Sequence, residues 1–449
     1  MPAAMIHETP LTPPAAVPSQ LLAGLDALYH EPDWLAAHRR EALAAYHDTP
    51  LPDRVTHLWR YTDPAVFARD GDDPLPTPPI RGSVREFPPV LTEALRTDSL
   101  AAGIYVRDGL VWKIALEESL VAQGVLVMDL HAAALEHSDL VRKHLGSLVG
   151  PAFGKYEAYA NAAWTGGLLI YVPRGVEIAK PIHIVTAQPG GGTVRAGRLL
   201  VIVESQAAIT LIDEYGEGTN GDGAPVHTNM IVEMVIGPAG RVQYAPIQNW
   251  NKQTVSYSTQ RARLDTDARL ETVLTAIGAH TSKVDCGALL AGKGAESNMF
   301  GLGIADGRQH YDHHTVHHHL AGNTRSDLHF KVALRDRADS VYTGLIRIED
   351  KAAYCEAYQE NRNLILSPHA RAETIPELEI LNNEVRCTHG ATVGKIDPQE
   401  IFYLESRGID RTEAVRLIVA GFVGPIVDRL PAPAQGRLRD VIVRRLEGD

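Results

Sequence analysis

The sequence predicts a mainly β protein with helical segments at both ends. From about residue 100 onward, alternating or β-branched runs such as "LLIYVP", "LLVIVES" and "MIVEMVIG" dominate, separated by Gly, Asp, Asn and Pro. Small-residue turns precede strand-like runs at Gly240, Ala268 and Ala295, at intervals of 28 and 27 residues, and later turns such as "RADSVYTG" follow less regularly. This spacing indicates either the coils of a parallel β-helix or a large sandwich, and the pattern alone favours neither.

The N-terminal segment has a different composition. Its first residues are rich in Pro and Ala, which is typical of a mobile arm. Two helices are predicted next, one capped by Ser19 and one with Pro32 in its first turn that runs to about His47. The proline-dense stretch "DDPLPTPPI" then predicts a linker. The predicted regions are a mobile arm (1–18), an N-terminal helical region with its linker (19–95), a β core (96–396) and a C-terminal helical region (397–449).

Helix caps mark the C-terminal region. Asp397 and Asp410 each stand where a helix N-cap is expected, and Gly408 is placed to end the helix between them. An apolar stripe on the final helix has two interpretations, packing on the chain's own core or docking another subunit. Its residues are Leu438, Val441, Ile442 and Leu446.

Composition excludes several classes of protein. Lys plus Arg total 43 and Asp plus Glu total 55, and the net charge of −12 argues against nucleic acid or an anionic membrane as the main partner. No apolar run approaches the roughly 20 residues of a membrane span, and the first residues do not resemble a secretory signal. The three cysteines are too scattered for a disulfide framework. We therefore expect a soluble cytoplasmic protein.

Histidine is concentrated between residues 310 and 329, where seven of the 20 histidines lie. Because side chains alternate along a strand, His313, His317 and His319 would share one face, with His314 and His318 on the other. No nearby Cys or carboxylate set completes a zinc site. A polar strand surface or interface is favoured over a dedicated metal site.

Motifs for nucleotide binding and catalysis are missing. Gly287, Gly292 and Lys293 nearly form a phosphate-binding loop, but Gly294 replaces the Ser or Thr that holds Mg²⁺. The flanking residues also predict strand followed by strand. We expect no nucleotide to bind this chain, and no motif indicates an enzyme.

Cys387 and His389 are the remaining candidate ligands. Two residues apart in a strand, they would project from one face, and both are good iron ligands. Spacing alone favours ordinary core packing, because a free Cys is usually a small buried hydrophobe.

Long stretches of the chain resemble the SufB/SufD family of iron–sulfur cluster assembly proteins. The likeness runs from "LWRYTDP" through "NAAWTGGLLIYVPRGVEIAKPI" to "LEILNNEVRCTHGATVGKIDPQEIFYLESRGI". It implies a central right-handed parallel β-helix flanked by helical regions. It also implies a heterodimer with a SufB-like paralogue through the β-helices, and a SufC-like ABC ATPase at the C-terminal helices. A homodimer is possible for the isolated chain.

Specific positions indicate which branch of the family the chain resembles. Ala370 aligns where the SufB scaffold has a cluster-ligand Cys, and Gly390 replaces the Glu of its second motif. The Cys-x-His-Gly-Ala-Thr form is the SufD pattern. The resemblance therefore implies that His389, with Cys387 beside it, contributes to a transient iron–sulfur cluster or iron site at a subunit interface.

Two other functions remain as alternatives. A stand-alone histidine-rich metal-binding protein would use the 310–319 segment. A β-helix enzyme acting on acidic polysaccharide would be expected to carry a secretion signal and a basic or calcium-binding groove. Roles of Cys286 and Cys355, in sulfur relay or as plain core, stay open.

Overall fold

The computed structural model describes residues 22, 24, 25, 29–68, 88–107, 109–187, 194–217 and 225–447. The predicted mobile arm, the Ser19 cap and the proline-dense linker lie outside these residues. The helices are α1 (Asp33–Asp48), α2 (Pro89–Arg96), α3 (Glu118–Ala122), α4 (Leu130–Glu136), α5 (Ser138–His144), α6 (Lys155–Ala163), α7 (Pro398–Ser406), α8 (Arg411–Val427) and α9 (Ala432–Glu447). Two short 3₁₀ helices span His57–Trp59 and Pro64–Phe67.

Nineteen strands make up the described part of the β core. They are β1 (Ala102–Arg107), β2 (Leu110–Leu116), β3 (Leu126–Asp129), β4 (Gly166–Val172), β5 (Ile182–Ala187), β6 (Val194–Val203), β7 (Ala208–Glu217), β8 (Val226–Ile236), β9 (Arg241–Gln248), β10 (Thr254–Leu264), β11 (Arg269–Ala276), β12 (Thr281–Leu290), β13 (Glu296–Ala305), β14 (His310–His319), β15 (Arg325–Leu334), β16 (Asp339–Ile348), β17 (Glu356–Ile365), β18 (Arg371–Ile380) and β19 (Arg386–Lys395).

These strands wind into a parallel β-helix, as predicted. Odd-numbered strands from β5 to β19 form one parallel sheet and even-numbered strands from β4 to β18 form the other. The chain therefore crosses from sheet to sheet at every turn, and each coil adds one strand to each sheet. Antiparallel β2 and β3 begin the two sheets beside β1 and β4.

The small-residue turns seen in the sequence occupy equivalent positions on successive coils. Arg241, Arg269 and Glu296, each following one of these turns, are in register on β9, β11 and β13. Ala338, in the later turn, instead precedes β16 of the other sheet. The later turn therefore belongs to the opposite edge of the coil, which explains the less regular interval.

The core lies both between the sheets and outside them. Between the sheets, the first coils enclose apolar residues such as Ile170, Val201 and Leu211. The outer face of the odd-numbered sheet from β7 to β13 is covered by α8 and α9, through residues that include Val423, Leu438 and Ile442. The alternative of a free docking stripe on the last helix is therefore wrong for Leu438 and Ile442, which are buried.

Helix boundaries follow their caps. The side chain of Asp397 accepts a hydrogen bond from the Gln399 N–H, and that of Asp410 accepts from Thr412 N–H. Pro32 is the N-cap of α1, so it precedes the first turn in which it was predicted. None of the described helices has the length and apolar character to cross a membrane.

Candidate functional site

The C-terminal end of the β-helix, formed by its last strands, is open. Among the described strands, β18 and β19 are the last of their sheets, and each pairs with a neighbour on one side only. Most of β19 is solvent-exposed, whereas the preceding strand in its sheet, β17, is largely buried on its inner face. The terminal coil therefore presents both an unpaired backbone edge and the inner surface of the β-helix.

Cys387 and His389 lie on this terminal coil and share one face of β19, as the strand pattern predicts. Cys387 is in register with Ala357, and His389 with Gln359. Both register partners are buried inside the β-helix, so the two candidate ligands project from the inner surface at its open end. Cys387 is half-buried and His389 is exposed.

The two side chains have different chemistry. Burial, with a smaller contribution from Cys355, raises the pKa of the Cys387 thiol to about 11. The thiol is therefore protonated at neutral pH, and a metal that binds it must displace the proton. His389 makes no hydrogen bond to another residue in the described ranges, so its ring is free to turn.

These two residues do not by themselves complete a metal site. Within the described residues, no group of three or more His, Cys, Asp or Glu side chains is arranged to hold a metal ion. The open end thus offers one thiol and one imidazole, and a metal bound there would need further ligands from elsewhere.

Beneath the open end, the interior of the β-helix is polar. Gln359, Asn361 and Asn363 follow one another on the inner face of β17, and Thr374 lies opposite on β18. Each has a buried side-chain atom with no hydrogen-bond partner among the described residues. The sequence analysis missed this set, although the period-two amides in "AYQENRNL" one coil before Cys387 are its signal.

Family models match most of the chain. Residues 27–184 match the SufBD protein N-terminal region, and residues 184–422 match the SufBD core domain of the SUF iron–sulfur cluster assembly system. The chain belongs to the SufBD family.

Relatives within the family span almost the whole length. The chain is 27% identical over 446 residues to the iron–sulfur cluster assembly protein SufB of Bacillus subtilis, covering 96% of this chain and 93% of SufB. It is 28% identical over 440 residues to SufD of the same organism, covering 96% and 98%. A SufBD family protein of Staphylococcus haemolyticus is 26% identical over 440 residues, covering 94% and 92%. These identities do not separate the SufB branch from the SufD branch.

Ala370 and Gly390, the positions at which the SufB scaffold has a Cys and a Glu, lie far apart in this SufBD chain. Ala370 is buried in the turn before β18, at one edge of the coil. Gly390 faces outward on β19, where a Cβ would be 4.0 Å from Glu360 Cγ. Cys387 begins β19 at the opposite edge from Ala370.

The histidine-rich strand β14 is not a surface. The predicted alternation is correct, but His313, His317 and His319 are buried inside the β-helix. The expectation of a polar strand surface is therefore wrong for these three. The Ser297 hydroxyl is hydrogen-bonded to the His317 ring, and the hydroxyls of Thr324 and Ser326 are hydrogen-bonded to the His319 ring. Within the described residues, they are not part of any group of three or more His, Cys, Asp or Glu side chains arranged to hold a metal ion.

The outward-facing histidines of β14 have carboxylate partners. His314 Nδ1 is 2.7 Å from Asp285 Oδ1, beneath the N-terminal region, and His318 Nε2 is 2.7 Å from Glu349 Oε1. These single pairs do not form a metal site.

The remaining sequence features have structural roles. Gly287 lies in the middle of β12 and Gly292 in the turn to β13, so strand follows strand and no phosphate-binding loop forms. Cys286 is buried inside the β-helix, which raises the pKa of its thiol to about 12. Cys355 is buried in the turn before β17, with its Sγ 3.1 Å from Thr324 Oγ1.

Proposed function

We propose that this chain is a SufD-like, non-ATPase subunit of an iron–sulfur cluster assembly complex, and that it pairs with a SufB-like paralogue through its open end. The observation that supports this most directly is the presence of Cys387 and His389 on a terminal strand with one unpaired edge. An exposed strand edge readily pairs with another chain. Leu381 and Val393, 59% and 50% exposed at this end, add apolar surface suited to burial in an interface.

The geometry favours a site shared between two chains. Cys387 and His389 supply two ligands. A thiol at the position of Ala370 would stand at the other edge of β18, whose ten residues span roughly 33 Å, too far to join them. A tetrahedral iron site completed at this end therefore takes its remaining ligands from the paralogue.

The cluster is cargo in this proposal, and the chain's own groups hold it transiently. Cys387 releases its proton as it binds iron, while His389 binds through a neutral ring nitrogen.

The C-terminal helices supply the second proposed contact. Phe402 and Tyr403 on α7 are 70% and 57% exposed. Exposed aromatic residues of this kind are enriched at protein interfaces. We assign this surface to a SufC-like ABC ATPase. The segment from Gly287 to Lys293, which nearly matches a phosphate-binding motif, forms the end of a strand and an ordinary turn, so the proposal gives ATP binding to a partner.

Co-expression of this chain with a SufB-like and a SufC-like chain tests the proposal. We expect a stable complex in which His389→Ala lowers the cluster yield about tenfold, measured by absorbance and iron content, because an exposed ligand is removed without altering the fold. Thr388→Ala, on the opposite face of the same strand, is the matched control and should leave the yield unchanged.

Either of two results would contradict the proposal. An unchanged cluster yield in the His389→Ala complex would remove the assigned role of His389. Failure of the parental chain to form any complex with the SufB-like chain would remove the partner assignment.

A further inference from the structure

The side chain of Gln359 spans the interior of the β-helix directly below the open end. It is 1% exposed, and its Nε2 donates a hydrogen bond to the carbonyl oxygen of Gly344 on β16 at 3.1 Å. Only the amide nitrogen can donate to a carbonyl, which settles the orientation of the amide. Oε1 is therefore the atom left buried without a partner.

Gly344 makes this arrangement possible. A Cβ at position 344 would lie 2.5 Å from Gln359 Nε2 and would also collide with the Tyr342 hydroxyl. The absence of a side chain thus lets the amide cross to the opposite sheet. The result is a fixed acceptor, since a side chain held at its nitrogen cannot swing its oxygen away.

His389 is the group best placed to use that acceptor. It is in register with Gln359 on the adjacent strand, at the usual separation of roughly 4.8 Å between neighbouring strands. Both side chains project toward the inside of the β-helix. The His389 ring is exposed and without a hydrogen-bond partner among the described residues, so no existing bond must break for it to turn inward.

We propose that Gln359 is the positioning residue for His389: Oε1 accepts the N–H of one ring nitrogen and leaves the other nitrogen, with its lone pair, facing the open end. A hydrogen bond to one nitrogen fixes the tautomer of a ligating histidine and the direction of its ring. The hydrogen bond itself does not depend on the proposed function. The assignment of the free ring nitrogen to iron binding rests on it.

Histidine-selective ¹⁵N NMR of the full chain tests the hydrogen bond directly. We expect the His389 ring, assigned as the signal lost in His389→Ala, to show a single dominant tautomer. Gln359→Met, of similar length but without an acceptor, should return it to the tautomer mixture of a free imidazole. Asn361→Leu removes a neighbouring buried amide in register with Ala391 and should leave the His389 signal unchanged.

A second variant provides an independent test. Gly344→Ala keeps Gln359 but displaces its amide, and it should also release the tautomer. If the His389 ring of the parental chain shows a mixture of both tautomers, that spectrum alone would overturn the proposal. Persistence of the single tautomer in folded Gln359→Met would overturn it equally.

Iron(II) binding by the co-expressed complex separates this inference from the proposed function. Loss of a hydrogen bond that orients a ligand should weaken iron(II) binding about 10–100-fold in the Gln359→Met complex. If the tautomer changes in that variant but iron(II) binding does not, the positioning of His389 stands and its proposed role as an iron ligand fails.

Discussion

At the scale of single residues, Glu233 shows how the fold uses a buried charge. Its carboxylate accepts hydrogen bonds from the backbone N–H groups of Gly146, Leu148 and Val149 at 2.9–3.1 Å, and from the buried Arg198 guanidinium. One strand residue thus secures a whole loop of the N-terminal region. The sequence around Glu233 shows only an acid within an apolar strand. It does not show which groups the carboxylate binds, because those groups lie more than 30 residues away.

Glu233→Gln should lower the free energy of unfolding by about 3–5 kcal/mol, because it leaves the Arg198 charge buried without compensation. Urea denaturation measures the effect. Glu93→Gln removes an exposed carboxylate from the ion pair with Arg96 and is the control, with no measurable change expected. A loss for Glu233→Gln no larger than for the control would show that Arg198 is not dependent on this partner.

At the scale of elements, strand β14 shows the limit of a periodic pattern. The two-residue period correctly assigned His313, His317 and His319 to one face. It did not show that this face lies inside the β-helix, since a polar face normally meets water. Ser297 is hydrogen-bonded to His317 from 20 residues earlier in the chain, and Thr324 and Ser326 are hydrogen-bonded to His319 from 5 and 7 residues later. These contacts let two of the three imidazoles replace apolar residues in the core.

The inward histidines should make the protein less stable in mild acid. Burial lowers the pKa of His313 and of His317 to about 4, and that of His319 to about 3. The unfolded chain, with pKa values near 6.5, then binds more protons than the folded chain below pH 6.5. Lowering the pH from 7 to 5 should therefore cost about 2 kcal/mol for each such histidine.

Urea denaturation at the two pH values measures this loss. His313, whose ring nitrogens are both unpartnered, packs against Phe330. His313→Phe should consequently fold and recover about 2 kcal/mol of the acid-induced loss. An equal loss in parent and variant would assign the acid sensitivity to other groups.

At the scale of the whole molecule, the two ends of the β-helix are unlike. Antiparallel β2 and β3 begin the sheets at one end, and α4 packs against β3 and β4 there. At the other end, β18 and β19 have no neighbour beyond them among the described elements. This asymmetry directs the proposed assembly to one end of the molecule.

Ala391→Pro should block that assembly while preserving the chain. Arg386 N–H donates to Cys355 O on the β17 side, and alternate residues of a parallel strand direct their backbone groups to opposite sides. The Ala391 N–H therefore points away from β17, and proline removes an edge donor without breaking an existing strand bond. Co-purification with the SufB-like chain should fall at least tenfold with an unchanged melting temperature, and Ala391→Val is the control.

Retention of the complex by Ala391→Pro would show that the chains do not pair through the free edge of β19. A lowered melting temperature of the isolated variant would instead show that the Ala391 N–H is bonded within the chain.

The sequence by itself determined the strands, their alternation, the caps at Asp397 and Asp410, and the shared face of Cys387 and His389. All of these depend on short-range stereochemistry, which a local pattern records. The resemblance of its long motifs also indicated the β-helix, which the spacing alone did not distinguish from a sandwich. Tertiary structure decided that His313, His317 and His319 of β14 are internal, that Leu438 and Ile442 of α9 are core, and that Gln359 lies beneath His389. Those facts depend on contacts between residues that are distant in the chain, some 30 positions apart for Gln359 and His389 and more than 100 for α9 and the strands it covers, and no local pattern specifies such contacts.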